Sequence, residues 1–228
     1  MAGVPSLRRL IPHPVYQVLR KLGTAFLAPA VFSLRSGHFQ SSLLGRAVDA
    51  RGAAIPWYTY PTIEFLRDKD LAGRRVLEWG AGQSTLWWAA RSATVVAFES
   101  DPTWYRRLRS CIPPNVKLHL VPIDASGALT WVADETFDVI VIDGLDRLRC
   151  AELSLPLLSS NGAAFLDNSD GYWGEDGQYP ILDLFRREGF SRIDFYGPAP
   201  GVIKPHCTSL FFKDACFLLD GAENTHRP

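Results

Sequence analysis

The 228-residue chain carries no surplus of either charge, with 24 Lys and Arg against 24 Asp and Glu. A neutral whole lacks the field that recruits nucleic acid, so nucleic acid is not expected as a partner. Only four cysteines occur, Cys111, Cys150, Cys207 and Cys216. They have neither the CxxC spacing of a zinc site nor the density of a disulfide scaffold. A reducing, cytoplasmic compartment is the expectation. Long apolar runs are missing too. The longest near the start, 25–34, contains Pro29 and falls short of the ~20 residues that span a bilayer. A secretory signal is not expected either, because Arg8 and Arg9 are followed by Pro12, His13 and Pro14 where an uninterrupted apolar region should begin. Internal repeats and low-complexity tracts are absent.

What the chain does have is apolar mass. Its residues are 47% hydrophobic and include seven tryptophans, enough to offset chain entropy with a sizeable core. The length suits one α/β domain, 56–220, behind an N-terminal extension, 1–55, and before a short tail, 221–228. The extension is basic, with Arg8, Arg9, Arg20, Lys21, Arg35, Arg46 and Arg51 against Asp49 alone. Its apolar positions, among them Leu7, Leu10, Val15, Leu19, Leu22 and Phe26, predict one or two short amphipathic helices cut by prolines. A lid or packing arm on the main domain is expected in preference to a membrane-surface helix, with peripheral membrane contact the alternative.

After a turn at 56–61, with Pro61 placed to start a helix through Leu66, strands alternate with helices. Strands are predicted at 76–79, 95–99, 116–121, 137–143 and 163–166, the last after an Asn161-Gly162 turn, with helices at 84–91 and 102–110. A helix at 179–188, stopped by Gly189, precedes two more strands at 192–196 and 209–213. The first strand is almost continuously apolar, as a strand covered on both faces should be. Such alternation predicts an α/β fold with a mostly parallel, doubly wound sheet.

The chemistry gathers at strand ends. Glu78-Trp79-Gly80-Ala81-Gly82-Gln83-Ser84 runs from a buried strand into a helix, the place where ligands meet the carboxyl edge of such sheets and where side-chain-free positions admit close backbone approach. Glu99 ends the next strand, where a carboxylate accepts both hydroxyls of a ribose. Glu78, two residues before Gly80, disfavours an anionic pyrophosphate and suits ammonium and sulfonium charge. Thr85 stands where the dinucleotide fingerprint has its third glycine.

On these residues the chain resembles the class I S-adenosylmethionine (SAM)-dependent methyltransferases over about 56–219. Glu78, Gly80 and Gly82 match the first motif of that family, with Ser84 where another glycine is usual. Glu99 matches its ribose-binding acid, and Asp124 in Val121-Pro122-Ile123-Asp124-Ala125 the acid that contacts the adenine amino group. Phe137 to Gly144 resembles the fourth motif and Leu158 to Asn168 the fifth. The resemblance implies a seven-stranded, mostly parallel sheet of the Rossmann-like methyltransferase type with its last strand antiparallel, and SAM as cofactor.

Asp143 ends the fourth predicted strand, beside the expected methyl group. Asp167 and Asn168 end the fifth. Three oxygen-bearing side chains on neighbouring strand ends suit a hard divalent cation. By resemblance to the catechol-type O-methyltransferases, Asp143, Asp167 and Asn168 would hold Mg²⁺ and orient a hydroxyl. Turn chemistry is the competing reading, because Asp and Asn cap strand ends for local reasons. Leu145, Asp146 and Arg147 follow Gly144 where those enzymes carry a lysine base, so the base is left to Asp143 or to His206, whose ordinary pKa lies near neutrality. Asp146 and Arg147 are either substrate contacts or an exposed ion pair. Trp57, Tyr58 and Tyr60 either line a substrate pocket or pack the domain, packing being preferred.

The expected activity is methyl transfer to a hydroxyl of a small molecule or glycan. An NAD-dependent oxidoreductase or epimerase is the first rival, disfavoured by Glu78 and by the lack of a Tyr-x-x-x-Lys pair. A non-catalytic, membrane-associated or partner-binding protein that retains the fold is the second, supported by the basic arm.

Overall fold

The computed structural model describes residues 12–144, 146–171 and 179–219. Arg8, Arg9, Leu7, Leu10, Leu145 and the tail 221–228 lie outside the described residues.

Seven strands form one sheet in the order β3-β2-β1-β4-β5-β7-β6. They are β1 (Arg75–Trp79), β2 (Thr94–Glu99), β3 (Val116–Leu120), β4 (Phe137–Ile142), β5 (Leu158–Leu166), β6 (Ser191–Gly197) and β7 (His206–Phe212). β1 pairs in parallel with β2 and β4, β2 with β3 and β4 with β5, while β7 runs antiparallel to both β5 and β6. This is the mostly parallel sheet with an antiparallel last strand that the motifs imply. Helices α3 (Tyr60–Arg67), α4 (Gln83–Ala89), α5 (Pro102–Arg109), α6 (Arg147–Ser154) and α7 (Tyr179–Arg187) flank it.

The central strands are apolar on both faces because both are covered. Val76, Val95, Val139 and Phe165 point into one layer with Leu66, Trp87 and Trp88, and Leu77, Phe98, Ile140 and Leu166 into the other with Phe185 and Phe211. Alternation places Glu78 on the first face, under α4, and Trp79 on the second. That one-residue difference decides what each can touch.

Two expectations are corrected. Asn161 and Gly162 do not form a turn before β5 but lie within it. The register jumps there, Phe137 facing Leu158 while Val139 faces Ala163, so the extra residues of β5 bulge. Gly162 is required in that bulge, because a Cβ would stand 2.7 Å from Leu158 Cδ1 and 2.8 Å from the Asp138 carbonyl oxygen. The bulge satisfies the turn-like composition without ending the strand.

The second correction concerns the arm. Prolines do not cut it into pieces: α1 (His13–Arg35) is one helix of 23 residues with Pro29 inside and Pro14 in the first turn. Proline removes a single ladder hydrogen bond at Pro29, and in the first turn removes none that would otherwise form. No side chain of α1 is buried. Its C-terminal end is tethered by Phe32, edge-on to Tyr60 at 5.1 Å between ring centres. The short α2 (His38–Leu44) follows and is seated by Ser41, whose hydroxyl donates to the Val48 carbonyl oxygen and accepts from the Val48 N–H, both at 3.0 Å. No helix among the described residues is long and apolar enough to cross a membrane.

Burial separates what stabilises the domain from what does not. Phe165→Ala, in the fully buried layer between β4 and β7, should cost about 3–5 kcal/mol in denaturant unfolding. Phe26→Ala, on a residue 73% exposed in α1, should fall within about 0.5 kcal/mol of the parent. Equal losses in the two variants would contradict this division of the core.

Candidate active site

The carboxyl ends of β1, β2 and β4 are drawn together by hydrogen bonds that continue the ladders past the strands. Gly80 N–H donates to the Phe98 carbonyl oxygen and Asp143 N–H to that of Trp79, both at 2.9 Å. Gly80 adopts φ 90°, and a Cβ there would lie 2.5 Å from the Asp143 carbonyl oxygen. Gly80 is therefore demanded by its neighbouring strand. Gly82 is the open position: a Cβ there would meet only Ser84 Oγ, at 3.9 Å, and otherwise point into free space.

That space is a cavity of about 440 Å³ lined by Gly80, Gly82, Ser84, Glu99, Trp104 and Asp143, with Val121, Ile123 and Ala125 along its far side. Glu99 is 9% exposed, and its Oε1 accepts from the N–H groups of Ser100 at 2.7 Å and Asp101 at 2.8 Å. Burial raises its pKa, and those backbone N–H groups oppose the rise. The carboxylate is thus fixed in orientation at the cavity wall. Trp104 is fixed as well, its Nε1 donating to the Ala81 carbonyl oxygen at 2.7 Å. Asp101 caps α5 through the N–H groups of Thr103 and Trp104, which aims Trp104 at the cavity.

Glu78 is not at the cavity surface. It is fully buried behind the glycine turn, accepting from the Thr85 hydroxyl, and Thr85 Oγ1 in turn accepts from Gly82 N–H at 2.8 Å. The acid shapes the turn through Thr85. Among the described residues Glu78 Oε1 has no hydrogen-bond partner in the structure. Burial drives its pKa up to about 7, against the opposing pull of Ser84 and Thr85. Sequence reasoning took Thr85 only as a missing glycine. A hydroxyl seven residues after a strand-end acid is the signal that was available.

Asp124 is not among the residues lining the cavity. Its side chain is exposed and accepts from Ser126 N–H at 3.0 Å, while its neighbours Ile123 and Ala125 line the cavity. An Asx-type turn claims the carboxylate.

Beyond Asp143 lies a second chamber of about 600 Å³, lined by Asp143, Asp167, Asn168, His206 and the loop 201–205. Trp57 and Asp143 line both spaces. Trp57 is held there by its Nε1, which donates to the Pro200 carbonyl oxygen at 2.7 Å. Tyr58 is instead a core residue, receiving a hydrogen bond from Trp88 Nε1 at 3.1 Å and stacking on Phe165. Tyr60 starts α3 and packs against the end of α1.

The three candidate metal ligands do share this edge, yet one side-chain oxygen of each is already engaged. Arg147 Nη2 donates to Asp143 Oδ1 at 3.0 Å and to Asn168 Oδ1 at 3.2 Å. Its Nη1 donates to the Asp167 carbonyl oxygen at 2.7 Å and its Nε to that of Gly144 at 3.2 Å. The Asp167 carboxylate is turned into the sheet, where Oδ1 accepts from the Thr208 hydroxyl at 2.6 Å. A guanidinium thus occupies the place where a cation would bind. Donors committed in this way do not fit Mg²⁺. Arg147, expected to be a substrate contact or a surface ion pair, is the organiser of this edge. Asp146 caps α6 by accepting from Arg149 N–H.

His206 is not in a loop. It opens β7, is buried, and places Nε2 3.7 Å from Asp167 Oδ1. Burial works against its charge, but Asp167, with Asp170 and Asp143, outweighs it and raises the pKa. Asp143 is likewise raised, by burial and by the charge of Asp167, against the pull of Arg147.

Neither a family model nor a curated protein matches the sequence. Solved structures do. An O-methyltransferase from Bacillus cereus in complex with SAH superposes with a TM-score of 0.58 at 19% identity, over 86% of this chain and 97% of that one. The cofactor-bound Rv0187 from MTB gives 0.54 at 19% identity, over 86% and 95%. Precorrin-6y C5,15-methyltransferase from Geobacter metallireducens GS-15 gives 0.51 at 15% identity, over 67% and 85%. The chain has the class I methyltransferase fold.

Buried Glu78 makes a pH-dependent prediction. Its folded pKa, about 7, lies above that of an unfolded carboxylate, so the folded state holds the proton more tightly. Stability is then greatest below the unfolded pKa and falls as pH rises towards 7. Glu78→Gln removes that loss. It should unfold with the parent near pH 4 and be more stable by on the order of 3 kcal/mol at pH 8. A constant difference across that range would mean that Glu78 is not titrating in the buried position.

Proposed function

We propose that the protein is a SAM-dependent methyltransferase that transfers the methyl group to a hydroxyl of a small molecule or glycan. The observation that carries this reading is the pair of cavities, one walled by a fixed Glu99 carboxylate and the other by Asp167 and His206, meeting at Asp143 and Trp57. A donor and an acceptor held in two such spaces meet at one wall, which is the geometry an in-line displacement needs.

The residues present suit the cofactor. Glu99 would take the ribose hydroxyls, Val121, Ile123 and Ala125 would cover the base, and the open side of Gly82 would admit the amino-acid end. Bound SAM supplies an electrophilic methyl group. Everything else is done by the chain. Trp57 closes the junction to water. Asp143 faces both spaces, and its raised pKa suits it to take the proton of an acceptor hydroxyl near neutral pH. Arg147 holds Asp143 in place, and Asp167 supports the charge of His206 from behind. Asp143 would take the proton of the acceptor hydroxyl, and bound SAM would give up its methyl group to that oxygen and leave as S-adenosylhomocysteine.

Calorimetry tests the cofactor half. S-adenosylhomocysteine should bind and NAD should not, and Glu99→Ala should weaken binding by about 1–3 kcal/mol. NAD binding in place of S-adenosylhomocysteine would favour the oxidoreductase reading, and binding of neither would favour a scaffold.

The transfer half is tested by release of S-adenosylhomocysteine with a panel of sugars and phenols. Asp143→Asn should lower turnover by about 10²–10⁴ while cofactor affinity stays within a few-fold. EDTA should leave turnover unchanged, as expected where Arg147 is the resident cation. Suppression by EDTA with rescue by Mg²⁺ would restore the metal reading and displace Arg147 from this role.

A further inference from the structure

The arm is built the wrong way round for a helix pair that lives in water. In α1, Val15, Val18, Leu19, Leu22 and Phe26 recur at helical spacing on one face, with Gln17, Arg20, Lys21 and Thr24 on the other. All five apolar residues are exposed. In α2 the polar Ser41 faces the domain, while Phe39 and Leu43, one turn apart, face outwards. An inverted pattern of this kind leaves apolar surface uncovered among the described residues.

The arm is also connected to the acceptor chamber. Gly201 N–H donates to His38 Nδ1 at 3.3 Å, and Gly201 sits so close to Ser41 that a Cβ would lie 2.8 Å from its backbone. Gly201 opens the chamber-lining loop that carries Ile203, 97% exposed. Outward-facing apolar groups therefore run along α1 and α2 and reappear at the chamber mouth.

Charge selects the occupant. α1 contains Arg20, Lys21 and Arg35 and no acidic residue, and Arg46 and Arg51 are exposed just beyond α2. An anionic lipid surface satisfies both features, apolar side chains entering the acyl boundary and cations meeting the headgroups. We propose that α1, α2 and the loop 201–205 form one face that docks on an anionic bilayer, so that the acceptor chamber opens towards the headgroup layer. The acceptor is then an amphiphile that presents a hydroxyl at the membrane surface. This last clause rests on the transferase reading, whereas the docking itself does not.

Vesicle co-flotation of the full chain, without cofactor, separates the two. The probes are phosphatidylcholine vesicles with and without about 30% phosphatidylglycerol. The parent should float with the anionic vesicles and much less with the neutral ones. Leu22→Glu/Phe26→Glu should reduce the bound fraction at least about tenfold, and Ile203→Asp should reduce it further in the same background. Arg20→Ala/Lys21→Ala should abolish the preference for anionic lipid. Unchanged thermal melts in all variants would show that these exposed substitutions leave the fold intact. A parent that stays in solution with both vesicle types overturns the proposal. So does a lipid-free dimer, seen by sedimentation, that Leu22→Glu/Phe26→Glu dissolves, because the face would then belong to a second copy. Flotation without S-adenosylhomocysteine binding would leave the docking standing and remove only the transferase clause.

Discussion

The close approach of two backbones, β1 at Gly80 and β4 at Asp143, governs the geometry of the whole carboxyl edge. No side chain fits between them, and the hydrogen bond from Asp143 to Trp79 holds them at that distance. Because the strands meet there, Asp143 cannot sit deep in either cavity and becomes the wall between them. A sheet with a bulkier residue at position 80 would have to splay, and the two spaces would no longer share a boundary.

Around that boundary the chain gathers acids shielded from water, Glu78 fully and Asp143 in part. Glu78 and Asp143 both hold their protons more tightly than free carboxylates do, and for both the first cause is desolvation. Such groups persist where structure around them over-determines their position. Thr85 does so for Glu78, and the branched guanidinium of Arg147 does so for Asp143 and Asn168. A planar cation with several donors can satisfy oxygens from two neighbouring strand ends at once, which a lysine ammonium on a flexible stem would do with less directional control.

The sheet was legible because period and punctuation agree: apolar strands of five or six residues, each followed by turn residues or a helix, leave few alternatives to a parallel layer. The strand-end positions of Glu99, Asp143, Asp167 and Asn168 were legible for the same reason. What eluded sequence reasoning was direction. Whether Glu78 faces a ligand or a helix depends on the pleat and on what packs beneath it, and Asp124 was diverted by a turn that Ser126 completes. Similarly, three oxygen ligands on adjacent strands look like a metal site until the following helix is seen to return Arg147 into their midst. The bulge at Asn161 and Gly162 shows the limit of composition, since the same residues serve a turn or an irregular strand according to the register of the partner.

The strand order has a consequence for how the edge opens. Val76 pairs with Val95 on one side, close in sequence, and with Val139 on the other, across the whole of β2, α5 and β3. The wall carrying Glu99 is thus joined to β1 by a pairing close in sequence, and the wall carrying Asp143 by a long-range one. Fluctuations that part β4 from β1 can loosen the junction while β1 and β2 stay zipped. The amide of Asp143, bonded to the Trp79 carbonyl oxygen, is one whose hydrogen exchange would report a parting of the two walls.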